Sequence, residues 1–246
     1  MPVTKVLIAL SKLPFIRAVT LSPFEIKLDA GTYHAAGFDV GAFIHSLEDA
    51  RAAIATRLEY VFIGDEPNMY GVTPAQYLES ARPIAEYLRA NGFTGIISTA
   101  GLAEQYTGFL GMPVPAEAYL RELVRLERGT VFDAFACNPF QCGHDAWRAV
   151  FDRVAPGRLA MCAGWSFQSH GRGWHWFAGL NGKLLGWLRE FRGAREWPEL
   201  RYSGIWSLPL GGALWHEEYG LIDTEGKLTM LGRDALSAAK LVLEQT

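Results

Sequence analysis

From residue 38 to the C-terminus, short apolar runs alternate with segments of helical periodicity, and the alternation repeats six times. Strands are expected at residues 38–44, 59–63, 94–98, 131–136, 158–163 and 202–207. Helices are expected at 47–56, 75–90, 115–128, 145–154, 176–191 and 233–244. A parallel neighbour needs a crossover of a dozen or more residues, and these helices supply it, so the strands run parallel. Right-handed crossovers then put each helix on the same side of a curling sheet. The fold class that satisfies this pattern is an α/β protein of the (β/α)8 TIM barrel type. The 246 residues agree with the roughly 250 of one such barrel.

The N-terminal quarter breaks the rhythm. Residues 5–10 and 16–21 both read as strands, and the gap between them is too short for a helix. The two either pair antiparallel or are not both barrel strands. Residues 22–37 are polar and aromatic without a clear period. The expectation is a barrel with an abbreviated or irregular first quarter. No Pro-, Gly- or Ser-rich linker and no low-complexity run divides the chain, so residues 1–246 read as one domain.

Composition narrows the function. Half the residues are hydrophobic, enough for a large core, and the formal net charge of -3 comes without a basic stripe. A nucleic-acid partner and a membrane partner are therefore not expected. The apolar run near the N-terminus, residues 6–10, is too short for a signal peptide or a membrane helix, and localisation is otherwise open. Three cysteines, Cys137, Cys142 and Cys162, form neither a zinc pattern nor a disulfide framework, with a mild preference for a reducing setting. His144 follows Cys142 by two residues, but no further ligand stands at regular spacing. No phosphate-cradling glycine motif occurs. Neither metal nor cofactor is expected.

The segment with the most chemistry is Tyr60-Val61-Phe62-Ile63-Gly64-Asp65-Glu66-Pro67. A buried strand runs into two carboxylates and is ended by proline. Thr73-Pro74 then starts a helix, with Thr73 as N-cap and Pro74 at its first position. Barrel enzymes carry their chemistry at the C-terminal strand ends. Here those ends read Asp65-Glu66, Thr99, Asn138, Cys162 to Trp165, and Trp206.

Gly64-Asp65-Glu66-Pro67-Asn68 resembles the G-N-E-P-N signature of the retaining glycoside hydrolases of clan A. In that clan the glutamate ends the fourth barrel strand and is the general acid/base. The resemblance implies that role for Glu66, and puts Asp65 where the family has an asparagine that holds the sugar 2-hydroxyl. Residues 132–140 are similar to the clan's sixth strand, with Asn138 in place of a histidine and Phe140 in place of a tyrosine. Residues 202–206 resemble its eighth strand, whose tryptophan, here Trp206, is a sugar platform, and residues 220–227 resemble the segment that follows. The order of the pieces is kept over residues 59–246. A carbohydrate partner is implied, with Asp65, Asn68 and Asn138 bonding hydroxyls and Trp165 and Trp206 holding rings.

One departure is decisive. The clan's nucleophile is a glutamate on the seventh strand, in a pattern like T-E-x-G-W, and this chain has Met161-Cys162-Ala163-Gly164-Trp165. Retention needs two carboxyls about 5–5.5 Å apart, and inversion about 6.5–9.5 Å. Glu217 and Glu218, in a long loop after the last strand, are candidates for the second carboxyl. Asp65 is disfavoured, because adjacent side chains in a strand point to opposite faces. Cys162 is a buried small hydrophobe, or marks a barrel that binds sugar without cutting it, or is a thiolate lowered by His170 or His175. The function expected is that of a glycoside hydrolase-like protein acting on or binding a poly- or oligosaccharide, a glycosidase if it is active. The alternative is a non-catalytic carbohydrate-binding or structural module in a larger assembly, such as a phage-tail or surface particle. Residues 40–64 are also similar to a βαβ unit of thiamine-phosphate synthases, without the phosphate loop expected there.

Overall fold

The computed structural model describes residues 8, 11–12, 18–103, 115–129, 131–139, 143–165, 184–205 and 227–244. Among the described residues seven strands stand in this order: β1 (Ala18–Leu21), β2 (Asp39–Ile44), β3 (Tyr60–Asp65), β4 (Ile96–Leu102), β5 (Ala134–Cys137), β6 (Leu159–Trp165) and β7 (Leu200–Ile205). Seven helices accompany them among the described residues: α1 (Ile26–Ala36), α2 (Leu47–Ala55), α3 (Pro74–Ala90), α4 (Ala116–Glu127), α5 (Gly143–Val154), α6 (Leu184–Arg195) and α7 (Met230–Glu244). Each strand pairs in parallel with the next. The ring closes by a parallel pairing of β1 with β7 through Val19 and Ile205. The chain therefore builds an α/β TIM-like barrel.

The described ring has one strand fewer than the resemblance implies, so the strand of Glu66 is third in it. Among the described residues, the N-terminal quarter is where the elements differ from expectation. Of residues 5–10, expected as a strand, only Ile8 is described, and it is helical; the others lie outside the described residues, and Ser11 donates to Ile8 O and Ala36 O. Residues 22–37, left without an element, hold α1. Its buried stripe is Ile26, Ala30, Tyr33 and Ala36, at helical spacing. It ends at Gly37, whose φ of 90° is open to a residue without Cβ.

Two hydrophobic layers follow from strand alternation. Inside the ring lie Tyr60, Phe62, Phe43 and Met161, faced by Ala18, Ala134, Ala136 and Ala163. Tyr60 stacks on Tyr202 at 4.7 Å and donates to Val19 O. A Cβ on Gly41 would collide with the Tyr60 ring, so glycine is required there. The second layer, between sheet and helices, takes the opposite strand residues, including Val61, Ile63, Cys137 and Cys162. Among the described residues no helix is long and apolar enough to cross a membrane.

Candidate active site

All seven strands point one way, so their C-terminal ends share one mouth. β3 arrives there with a break in its ladder. Ile63 pairs with Thr99 and Asp65 with Gly101, but between them Tyr77 of α3 intervenes. Its hydroxyl donates to Ile63 O at 2.8 Å and accepts from the Ala100 amide at 2.7 Å. The wedge is held because α3 is firmly started: Thr73 and Gln76 form a reciprocal capping box before Pro74. Beside the wedge, Gly64 has φ 86° and Glu66 φ 42°. Both angles lie in the left-handed region, which is costly for a glutamate.

The consequence is chemical. Strand alternation predicts Asp65 and Glu66 on opposite faces, and the structure corrects this. The Asn138 side-chain amide donates to Glu66 Oε1 at 2.8 Å and also hydrogen-bonds Asp65. Leaving the β conformation at Glu66 rotates its carboxyl toward its neighbour's partner. Desolvation, then the charge of Glu66, raise the Asp65 carboxyl to about 7, against the opposing bond from Asn138. Desolvation also raises Glu66, again opposed by Asn138. Repulsion between the two is mutual. Once Asp65 takes the first proton, Glu66 no longer faces a neighbouring charge, and the donated amide hydrogen favours its ionised form.

Asn138 follows β5 and is 3% exposed. Its own N–H donates to Leu102 O, and its Oδ1 is buried without a hydrogen-bond partner among the described residues. That oxygen lies over Gly101, where a Cβ would strike Asn138 and stand 2.8 Å from Ala163 Cβ. Asn68, expected to meet a sugar hydroxyl, is 1% exposed. Its amide donates to Ala103 O at 2.9 Å and accepts from Ala103 N at 3.0 Å. This two-bond clamp ties the loop after β3 to the end of β4.

Tyr70 was missed by sequence reasoning. It is 69% exposed, and its phenol is raised by desolvation and by Glu66 and Asp65. Phe24, 64% exposed, stands after β1 on the same end of the barrel. An aromatic in the first loop residues after a barrel strand is the signal that could have found both.

Cys162, aligned with the missing nucleophile, faces the helix layer and is fully buried. The neighbouring Ala163 faces the interior. The imidazole beside Cys162 belongs to His144, which is fully buried at the start of α5. Trp165 ends β6, and its side chain lies outside the described residues. So do Trp206, Glu217, Glu218, His170, His175, Cys142 and Phe140.

No family model and no curated protein sequence matches this chain. Solved structures do. A GH128 (subgroup II) endo-β-1,3-glucanase from Pseudomonas viridiflava superposes with a TM-score of 0.59 at 18% identity, covering 94% of this chain and 93% of that one. A GH128 (subgroup I) endo-β-1,3-glucanase from Amycolatopsis mediterranei, in complex with laminaritriose, gives 0.57 at 15% identity, covering 91% and 99%. A GH128 (subgroup VII) oligosaccharide-binding protein from Cryptococcus neoformans gives 0.54 at 13%, covering 93% and 95%. At these identities the likeness is one of fold: this chain shares with the GH128 proteins a parallel TIM-like barrel.

Proposed function

We propose that the barrel mouth beside Asp65 and Glu66 binds a β-1,3-linked glucan or its oligosaccharides and that the carboxyl pair delivers a proton to the glycosidic oxygen. The observation that carries this reading is the gathering of Asp65, Glu66 and Asn138 at the C-terminal mouth of a parallel barrel. The GH128 glucanases of similar fold and the ordered motif resemblance supply the substrate class. Asp65, raised to about 7, holds the proton near neutrality, as a general acid must. Glu66, held by Asn138, is the carboxylate that accepts it back. Glu217 or Glu218 supplies the second carboxyl needed across the scissile bond. Trp165, Trp206 and the exposed Tyr70 hold sugar rings. Asn68 acts through the loop it clamps.

One observation favours binding without cutting. β6 carries no carboxylate, and the residue facing the interior near its end is Ala163. A GH128 oligosaccharide-binding protein has a similar fold.

Laminaripentaose separates the two. Shorter products released by the wild type, and lost by at least 100-fold in Glu66→Gln, support hydrolysis. Calorimetric binding without product supports the binding role. Turnover unchanged in Glu66→Gln removes that residue from the chemistry. Neither binding nor product across a glycan panel defeats both.

A further inference from the structure

Parallel register places three residues in one row across adjacent strands: Cys137 on β5, Cys162 on β6 and Ser203 on β7. Cys137 and Cys162 face the helix layer and are fully buried, with their sulfurs 3.8 Å apart. Above the row lies His144 of α5. Its Nε2 is 2.9 Å from Ser203 Oγ, and its ring also hydrogen-bonds Cys162. Its Nδ1 is 2.8 Å from Glu190 Oε2 of α6, which also accepts the His144 backbone N–H at 2.9 Å. Gly143, at φ 77°, leaves the space for that approach, because a Cβ there would stand 2.6 Å from Glu190 Oε1. A carboxylate on Nδ1 holds the imidazole in its protonated form, with the second N–H facing the row of sulfur and hydroxyl. None of these groups belongs to the mouth chemistry.

We propose that Cys137 and Cys162 are a redox pair that hydrogen peroxide converts to a disulfide, with His144 and Glu190 activating Cys162. Registered neighbours on parallel strands lie about 4.8 Å apart, within the usual Cα separation of a disulfide. The sulfurs need to close from 3.8 Å to about 2.05 Å. Hydrogen peroxide is uncharged and little larger than water. The Cys162 thiolate attacks one peroxide oxygen and the O–O bond breaks. A sulfenic acid forms, and the leaving hydroxide takes the His144 proton and departs as water. Neutral His144 then accepts the Cys137 thiol proton. Cys137 sulfur attacks Cys162 sulfur, the S–O bond breaks, and the hydroxide recovers that proton as a second water. Two thiols are oxidised and one peroxide is reduced. The bond forms one residue below Asn138, so it ties β5 to β6 beneath the amide that holds Glu66. Burial raises the Cys162 thiol, but the Cys137 bond and the His144 charge outweigh it and bring it to about 6.

The test uses the wild-type chain with peroxide, then denaturation, thiol titration and peptide mapping. Two of the three thiols are expected to disappear, with the residue-137 and residue-162 peptides joined and a mass loss of about 2 Da, reversed by dithiothreitol. Cys137→Ser is expected to leave Cys162 as a sulfenic acid trapped by dimedone. In the wild type, the oxidation rate is expected to reach half its maximum near pH 6. Three intact thiols after prolonged excess peroxide, a link through Cys142, or a rate that rises only above pH 8 would each overturn the proposal. None of these readouts depends on glycan binding.

Discussion

Replacing Asp65 by asparagine tests whether the carboxyl pair is destabilised as its surroundings imply. In the folded chain the Asp65 carboxyl rises from 3.8 to about 7, through desolvation first and the Glu66 charge second. Between those two values the folded protein holds a proton that the unfolded chain has released. Stability therefore falls as pH rises through this window and is level above it. At about 1.4 kcal/mol per pKa unit the full rise corresponds to roughly 4 kcal/mol. Asp65 is reachable by solvent, and water screens much of that cost. The discounted value is about 1–2 kcal/mol. An asparagine side chain carries no charge at any pH, so Asp65→Asn is expected to be more stable than wild type by about that amount at pH 8, with the difference vanishing near pH 4. Urea titrations at pH 4, 6 and 8 read it directly. A variant that is less stable at pH 8, or a difference that does not change with pH, would refute the reasoning.

Three further outcomes are expected. Gly101→Ala pushes Asn138 off Glu66, costing about 1–3 kcal/mol in denaturant titrations and weakening glycan binding in calorimetry. Tyr77→Phe leaves Ile63 O and the Ala100 N–H unpaired in a buried place, costing about 1–3 kcal/mol for each, as loss of urea midpoint. Tyr70→Ala, at an exposed position, leaves stability within about 0.5 kcal/mol of wild type while reducing laminaripentaose affinity about tenfold.

The parts of this fold that were legible in the sequence are those with local causes. Ser46 caps α2 by accepting from the Asp49 amide, and Thr73 caps α3, so the elements from β2 to α3 fall where their spacing puts them. α1 was illegible although its buried stripe is regular. Its N-cap, Glu25, makes no side-chain cap bond, Gly31 sits mid-helix, and two of four buried positions are alanine. The meeting of Asp65 and Glu66 was illegible for a different reason. It depends on a tyrosine twelve residues downstream that pries open the β3–β4 ladder, and on an amide from β5. The buried row of Cys137, Cys162 and Ser203 was hidden in the same way, since register across three strands is a tertiary property.

The same distinction decides what restoring the clan's nucleophile would do. Motif alignment puts the missing glutamate at Cys162, yet that side chain is fully buried in the sheet–helix layer against His144, with Glu190 behind it. Cys162→Glu would bring a second carboxylate into a place already holding one, away from Glu66. The cost of burying that charge is several kcal/mol. The expected result is a marked loss of thermal stability with no product from laminaripentaose. The interior position is Ala163, whose neighbour across the ring is Gly101. A glutamate there would displace Asn138 before it could face Glu66. Turnover gained by Cys162→Glu and abolished by adding Glu66→Gln would show that the β6 tip turns toward the mouth, and would refute the outward orientation on which the redox pair stands.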